Sequence, residues 1–496
     1  MTSRRPAAAT GRSPRRRATP RRIVVASNRG PISFVRDEAG AVIARRGGGG
    51  LVTALTGALA HSGGLWVASA MSEEDRRQAA TGRLDDAAGS GEYAVRYLVF
   101  DPAVYNGFYN GISNRVLWFL HHLLWDVPRE PRFDAPAFKA WRAYREVNET
   151  FAGVLDHEGA ALRGDPAFLV QDYHLALVPA MLRARRSTAR INHFSHIPFC
   201  GPSYLRILPD EIRGELLRGL LGADVVGFQA EQWARNFLLG CRELAGASVD
   251  LRARRVRWEG RDVLVRVYPI SIDADALVER SREEDVARAR RRIERWRGEG
   301  KLLVRVDRGE LSKNVLRGFL AYEAFLRGRP RWRRRVRFLA LLNPSRQDIP
   351  EYRAYLSECA RMADRINDRF GDEQWQPVRL SIKDDLAGSA AAMSLYDVLM
   401  VNPVFDGMNL VAKEGPVLNQ RDGVVILSKN AGAYAELRKH AIGVNPFDVE
   451  ETASAIATGL EMDPAGRRRR AEGLRRAVLA NPLPRWVEAQ LADLEA

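Results

Sequence analysis

The strongest constraint on what this chain can fold into is an alternation that runs twice. From Arg22 onward, apolar runs of strand length ("RIVVASN", "GLWVAS", "YAVRYLVF", "PAFLVQD", "INHFSHIPF", "ADVVGFQ") are separated mostly by helix-like segments. Strands that read as apolar on both faces, each feeding a helix, build a mostly parallel sheet covered on both sides. Around "RVRWEGRDVLVRVYPISID" the pattern becomes a hairpin and a connector. It then restarts with "KLLVRVD", "VRFLALLN", "PVRLSI", "DVLMVNP", "GVVILSK" and "AIGVNP". The expectation is an α/β protein with two consecutive doubly wound domains, over residues 21–270 and 271–480. A basic tail precedes them at residues 1–20. A closing helix at residues 481–496 can pack back on the first domain. Ligands of such sheets bind beyond the carboxyl ends of the strands, so the cleft between the two domains is the expected site.

A net charge of +16 raises the question of nucleic acid, but its location argues against that partner. Residues 1–22 hold eight arginines and no acid, which is half of the excess. Interspersed Pro, Ala, Ser and Thr predict a disordered tail. The moderately basic remainder suits a phosphorylated small molecule. No apolar run is long enough to span a bilayer, and no apolar segment follows the first arginines, so neither a membrane span nor a secretory signal is expected. Cys200, Cys241 and Cys359 are too few and too scattered for a disulfide framework or a metal knuckle, which points to a reducing, cytoplasmic setting.

Polar residues gather where the strands end. In "VNPVFDGMNLVAKEG" a strand stops, a Phe-Asp-Gly turn follows, and a helix starts, with Lys413 and Glu414 one turn in. A helix start offers unpaired N–H groups and the positive end of the macrodipole to an anion. An ordinary loop with an Asp N-cap fits the same letters. "VRVDRGELSKN" ends another strand with Arg308 and Lys313, a guanidinium and an ammonium that together suit a diphosphate. "LLNPSRQD" adds Arg346. In the first half, "VASNRG" places Asn28 and Arg29 at a strand end, and Gly47 to Gly50 allow close backbone approach. "VQDYHL" contributes Asp172 and His174, and "FSHIPF" contributes His196. Either histidine taken alone fits a structural role better; only the two together, at strand ends of one sheet, bring a binding role level with it.

Together, "SNRG", "GGL", "YNGISNRVLW", "QDYHLALVPA", "HIPF", "VDR…SK", "PSR" and "DGMNLVAKE" resemble the trehalose-6-phosphate synthases, retaining glycosyltransferases of family 20. The resemblance runs from about Arg21 to the C-terminal helices. It implies the GT-B fold, two doubly wound Rossmann-like domains facing across a cleft. It also implies glucose transfer from a nucleotide sugar to glucose 6-phosphate, giving α,α-trehalose 6-phosphate and a nucleoside diphosphate. By the same resemblance, Arg308 and Lys313 hold the donor diphosphate, backbone N–H groups of Asn409 and Leu410 assist, and Glu414 accepts from the ribose hydroxyls. Asp406 and His196 bind donor-glucose hydroxyls, with Gly50 near the donor. Asp172 sits by the acceptor glucose, and Arg29, Tyr109, Trp118 and Arg346 surround the acceptor phosphate. Arg308, Lys313, Asp172 and His196 form the implied catalytic set. No acidic pair or Cys/His cluster accompanies them, so no cofactor or essential metal is expected. The family suggests a homo-oligomer, a dimer or tetramer.

Two departures stand out. After "GGLWV" the related pattern continues Gly-Trp-Ser-Gly, where this chain has "ASAMSEEDRR"; and "RGELSKN" replaces the usual "RLDYSKG". Similar changes occur in a pseudo-glycosyltransferase that joins a nucleotide-linked cyclitol to a phosphorylated amino-cyclitol, which makes that activity the nearest alternative. A non-catalytic sugar-phosphate-binding regulator on the same fold is a second. The loop after "PVRLSI" reads Lys383, Asp384, Asp385. A carboxylate at Asp384 can accept both adjacent N–H donors of guanine, which favours GDP-glucose over UDP-glucose; the same acids can instead cap the following helix. No phosphatase-like segment is expected after the synthase region.

Overall fold

The computed structural model describes residues 22–495 apart from 38–39, 48–49, 61, 81, 83, 85–92 and 163–164. The expected basic tail, and part of the glycine run before Gly50, lie outside the described residues. In the N-terminal half the strands are β1 (Ile23–Ser27), β2 (Ile32–Arg36), β3 (Val42–Arg46), β4 (Leu65–Ser69), β5 (Ala94–Leu98), β6 (Ala167–Gln171), β7 (Arg190–Ser195), β8 (Val225–Phe228), β9 (Ser248–Asp250), β10 (Arg255–Trp258) and β11 (Arg261–Val267). The C-terminal half holds β12 (Lys301–Arg308), β13 (Val336–Asn343), β14 (Val378–Ile382), β15 (Val398–Val401), β16 (Val424–Ser428) and β17 (Ile442–Val444).

The first sheet runs β5-β4-β1-β6-β7-β8-β11-β10-β9 and is parallel except that β10 pairs antiparallel with β9 and β11. The second runs β14-β13-β12-β15-β16-β17, parallel throughout. β1, β4 and β6 are buried at every position, as double-sided coverage demands. In both sheets the chain leaves the first strand in one direction and later returns to its other side, at β6 and at β15. A crevice opens where such a reversal separates two crossovers. Asn28, Arg29 and Asp172 follow β1 and β6; Lys313 and the "DGMN" turn follow β12 and β15.

The parallel strands lie where the alternation predicted them. The β2–β3 hairpin was not anticipated, because its second strand is exposed along residues 42–45 and carries no buried-strand signature. Tyr109 and Trp118 stand nine residues apart. They lie on one unbroken helical stretch, Pro102 to His122, whose middle part, Gly107–Leu117, is a π-helix. At about 100° per residue an α-helix would put residues nine apart on opposite faces. The wider i→i+5 turn brings them back toward one face.

The lobes meet through backbone. The Gly407 carbonyl accepts from Trp233 Nε1 at 3.1 Å. A Cβ on Gly407 would stand 1.9 Å from the carbonyl oxygen of His196, across the cleft, so only glycine fits there. Lys413 donates to the Ile270 carbonyl at 2.7 Å. The helix Pro484–Glu495 returns to the first sheet: Tyr268 donates its hydroxyl to Asp493 at 2.7 Å, Arg266 pairs with the same carboxylate at 3.2 Å, and Trp486 meets the Phe194 ring edge-on at 4.9 Å. Gly407→Ala is expected to destabilise the protein by about 3 kcal/mol, because backbone must move on both sides of the contact. Urea denaturation measures this, and an unchanged midpoint would contradict the close approach.

Candidate active site

A cavity of about 540 Å³ lies between the lobes. His196 and Gln229 line it from the first lobe, and Arg308, Lys313, Asp406, Asn409, Leu410 and Glu414 from the second. A larger, mostly apolar cavity of about 830 Å³ lies between the helix Gly50–Ala60 and the C-terminal helices, and none of the charged strand-end residues reaches it. Chemistry therefore points to the smaller one.

The loop after β12 is held from below by Arg305, a fully buried arginine. Its guanidinium pairs with Asp307 at 2.9 Å, donates to the Lys313 carbonyl at 2.8 Å and the Asn314 carbonyl at 3.3 Å, and also reaches Asn402. Asn314 turns the chain in the left-handed region, at φ 61°. This places Lys313, whose ammonium pairs with Asp406 at 2.6 Å; Asn409 donates to the same carboxylate oxygen at 3.0 Å. Burial alone would raise the Asp406 carboxyl, but the Lys313 charge together with the hydrogen bonds from Lys313 and Asn409 holds the group below its ordinary range. Arg308 is half exposed and lies 5.5 Å from the Trp118 ring.

Val411–Leu418 is the helix that follows the turn, with Leu410 at its N-cap. Its first backbone N–H groups have no intrahelical acceptor, and Asn409 Oδ1 takes only that of Ala412, at 3.3 Å. Glu414 faces the cavity with no hydrogen-bonding partner, and burial pushes its carboxyl up to about 7. Lys413, beside it in sequence, points the other way, to Ile270 and to Glu436 at 2.5 Å, and does not line the cavity.

On the facing side, the His196 ring lies between Gln171, 3.0 Å from Nε2, and Gln229, 3.5 Å from Nδ1. Burial drops its basicity to about 3, so it is neutral near pH 7. Its backbone N–H donates to Asp172 at 3.1 Å. Asp172 adopts a left-handed φ of 71°, and burial raises its carboxyl to about 6. The π-helix contributes a neighbouring aromatic wall: Tyr109 stacks on His174 at 5.9 Å, and the Arg346 guanidinium lies 3.8 Å over Trp118. Arg29 is exposed and near enough to His174 to lower its basicity further.

The expected residues thus divide. His196, Arg308, Lys313, Asp406, Asn409, Leu410 and Glu414 share one cavity. Asp172, Tyr109, Trp118 and Arg346 form the adjoining cluster. Gly50 begins the helix Gly50–Ala60. Asp385 caps the helix Leu386–Leu395, accepting from Gly388 N–H at 2.7 Å, whereas Asp384 is exposed and leaves the cap to its neighbour. Sequence reading missed Glu310, Tyr173, Gln171 and Gln229. Gln171 and Tyr173 flank Asp172, and Glu310 lies two residues from Arg308, which was the available signal. Among the described residues no group of three or more His, Cys, Asp or Glu is placed to hold a metal ion.

Two facing doubly wound lobes with the ligand cleft between them define a glycosyltransferase of the GT-B architecture. The family model described as glycosyltransferase family 20 matches residues 21–496, and the chain belongs to that family. Among its relatives, a validamine 7-phosphate valienyltransferase of Streptomyces hygroscopicus is 34% identical over 96% of this chain and 94% of its own. An α,α-trehalose-phosphate synthase [UDP-forming] of Aspergillus fumigatus is 35% identical over 95% and 97%. Among solved structures, the Burkholderia xenovorans α,α-trehalose-phosphate synthase in complex with glucose-6-phosphate superposes with a TM-score of 0.81 at 28% identity, over 96% of this chain and 100% of that one. The E. coli protein bound with UDP-2-fluoro glucose gives 0.80 at 28%, over 95% and 98%. The resemblance read from the motifs is borne out at the level of family and fold.

Burial without a partner has a measurable consequence. In carbon-13-detected NMR of glutamate-labelled protein, the resonance lost in Glu414→Gln is expected to titrate near pH 7. A midpoint near the ordinary 4.5 would contradict the environment described.

Proposed function

We propose that the chain transfers glucose, with retention, from a nucleotide sugar to glucose 6-phosphate, giving α,α-trehalose 6-phosphate and a nucleoside diphosphate. One observation carries this reading: Arg308, Lys313 and an uncapped helix start converge from the second lobe on a cavity that His196 closes from the first. Arg308, Lys313 and the N–H groups at Asn409 and Leu410 take the diphosphate. Glu414, lacking a partner, accepts from the ribose hydroxyls. Asp406, oriented by Lys313 and Asn409, and neutral His196 hold donor-glucose hydroxyls, with Gly50 nearby. Asp172 orients the acceptor hydroxyl, and Arg29, Tyr109, Trp118 and Arg346 surround its phosphate. In this scheme residues 21–270 bind the acceptor and residues 271–480 the nucleotide sugar.

Retention follows if the acceptor attacks from the face the diphosphate leaves. A departing phosphate oxygen then takes the hydroxyl proton, and the protein supplies positioning and charge. The scheme assigns the leaving charge to Arg308, Lys313 and backbone N–H groups, so no metal is required by it. GDP-glucose is the favoured donor, a preference supported by Asp384, which is exposed and leaves the helix cap to Asp385. A cytoplasmic homo-oligomer completes the reading. Among the described residues no helix is long and apolar enough to cross a membrane.

A second reading has its own support in the valienyltransferase relative and in the altered "RGELSKN" loop: coupling of a nucleotide-linked cyclitol to a phosphorylated amino-cyclitol. Nucleoside diphosphate release from GDP- and UDP-glucose, with and without glucose 6-phosphate, separates the two and also tests a non-catalytic role. The expected result is release that depends on glucose 6-phosphate and is faster with GDP-glucose. Arg308→Ala is expected to cost about 3 kcal/mol of barrier, a fall of roughly two orders of magnitude in turnover with the fold intact. Wild-type turnover in that variant would overturn the assignment.

A further inference from the structure

Between Arg308 and Arg346 stands a carboxylate that no role above employs. Glu310 is fully buried. A single oxygen, Oε1, accepts from Arg346 Nη1 at 2.7 Å and from Ser345 Oγ at 2.8 Å, and it forms an ion pair with Arg308 Nη1 at 3.1 Å. The other oxygen, Oε2, is buried without a hydrogen-bonding partner. A buried carboxylate normally divides its donors between both oxygens, so this concentration on Oε1 holds two guanidiniums on one acceptor. Burial by itself would raise the Glu310 carboxyl; Arg308, Arg346 and Lys313 reverse that and bring it to about 2, so it is charged across the physiological range.

The two arginines it joins differ in freedom. Arg308 is half exposed. Arg346 belongs to the second lobe but crosses to the first, donating through Nε to Asn114 at 2.9 Å and through Nη2 to the Tyr173 hydroxyl at 3.3 Å, over the face of Trp118. It sits in the left-handed region at φ 49°, a conformation that its partners must sustain. Whatever draws Arg308 off the shared oxygen leaves Glu310 to grip Arg346 alone.

We propose that Glu310 is a positioning residue that couples the two phosphate sites: an anion on Arg308 frees Oε1 for Arg346 and fixes that guanidinium where the acceptor phosphate meets it. The inference rests on the assignment of Arg308 to the nucleotide and Arg346 to the acceptor. A guanidinium already fixed costs less to order, so a nucleoside diphosphate tightens glucose 6-phosphate binding and, by reciprocity, the converse holds.

The test is calorimetric titration of glucose 6-phosphate into the full chain, alone and with saturating GDP or UDP. In the wild type we expect affinity to rise about five- to tenfold with nucleotide. In Glu310→Gln, with a wild-type circular dichroism spectrum, the ratio is expected within twofold of unity. Glu310→Asp keeps the charge but is one methylene too short to span both guanidiniums, and it should lose the coupling as well; it also decides the matter if the Gln variant does not fold. A wild-type ratio of one, or coupling retained in both variants, overturns the proposal. Failure of the wild type to bind glucose 6-phosphate or either nucleotide would instead refute the functional reading on which it rests.

Discussion

Cations poised around a half-buried cleft must be neutralised before any ligand arrives. Removing an unpaired charge from water costs several kcal/mol, and like charges side by side add to that. This chain meets the requirement with two carboxylates. Asp406 takes Lys313, and Glu310 takes both Arg308 and Arg346. Each carboxylate is oriented by a second donor, Asn409 or Ser345, which fixes the direction of its ion pairs. Under the function proposed above, a phosphate-bearing ligand takes Arg308 from Glu310 and leaves that carboxylate to Arg346.

The fold explains why these groups meet. Both sheets reverse direction beside their first strand, and both reversals face the same cleft. Lobe contact is enforced at backbone level by Gly407 against His196 and by Trp233 on the Gly407 carbonyl. Arg346 adds a side-chain tie from the second lobe to Asn114 and Tyr173. The two lobes are therefore tied together by residues that border the cleft itself.

Much of this was legible in the sequence because parallel strands buried on both faces leave unmistakable apolar runs, and because polar residues at their ends have few other reasons to be there. "VRVDRGELSKN" and "DGMNLVAKE" pointed to Arg308, Lys313, Asn409 and Glu414 before any coordinates. What escaped was of other kinds. The β2–β3 hairpin is exposed on one strand and offers no periodic contrast. The π-helix that brings Tyr109 and Trp118 to one side depends on backbone hydrogen bonding that composition does not encode. Arg305 reads as a flaw in an apolar strand, yet every one of its nitrogens finds an acceptor beneath the site loop. Lys413 follows the same turn as Glu414 in sequence, but adjacent helix positions face different directions, and its ammonium goes to the Ile270 carbonyl.

A crystal structure of the protein with a nucleoside diphosphate and glucose 6-phosphate tests the central claim most directly. The account predicts the diphosphate between the lobes, within hydrogen-bonding distance of Arg308, Lys313 and the backbone at Leu410, with Glu414 on the ribose. A nucleotide bound anywhere else, with Arg308 and Lys313 still holding only their carboxylate partners, would contradict it.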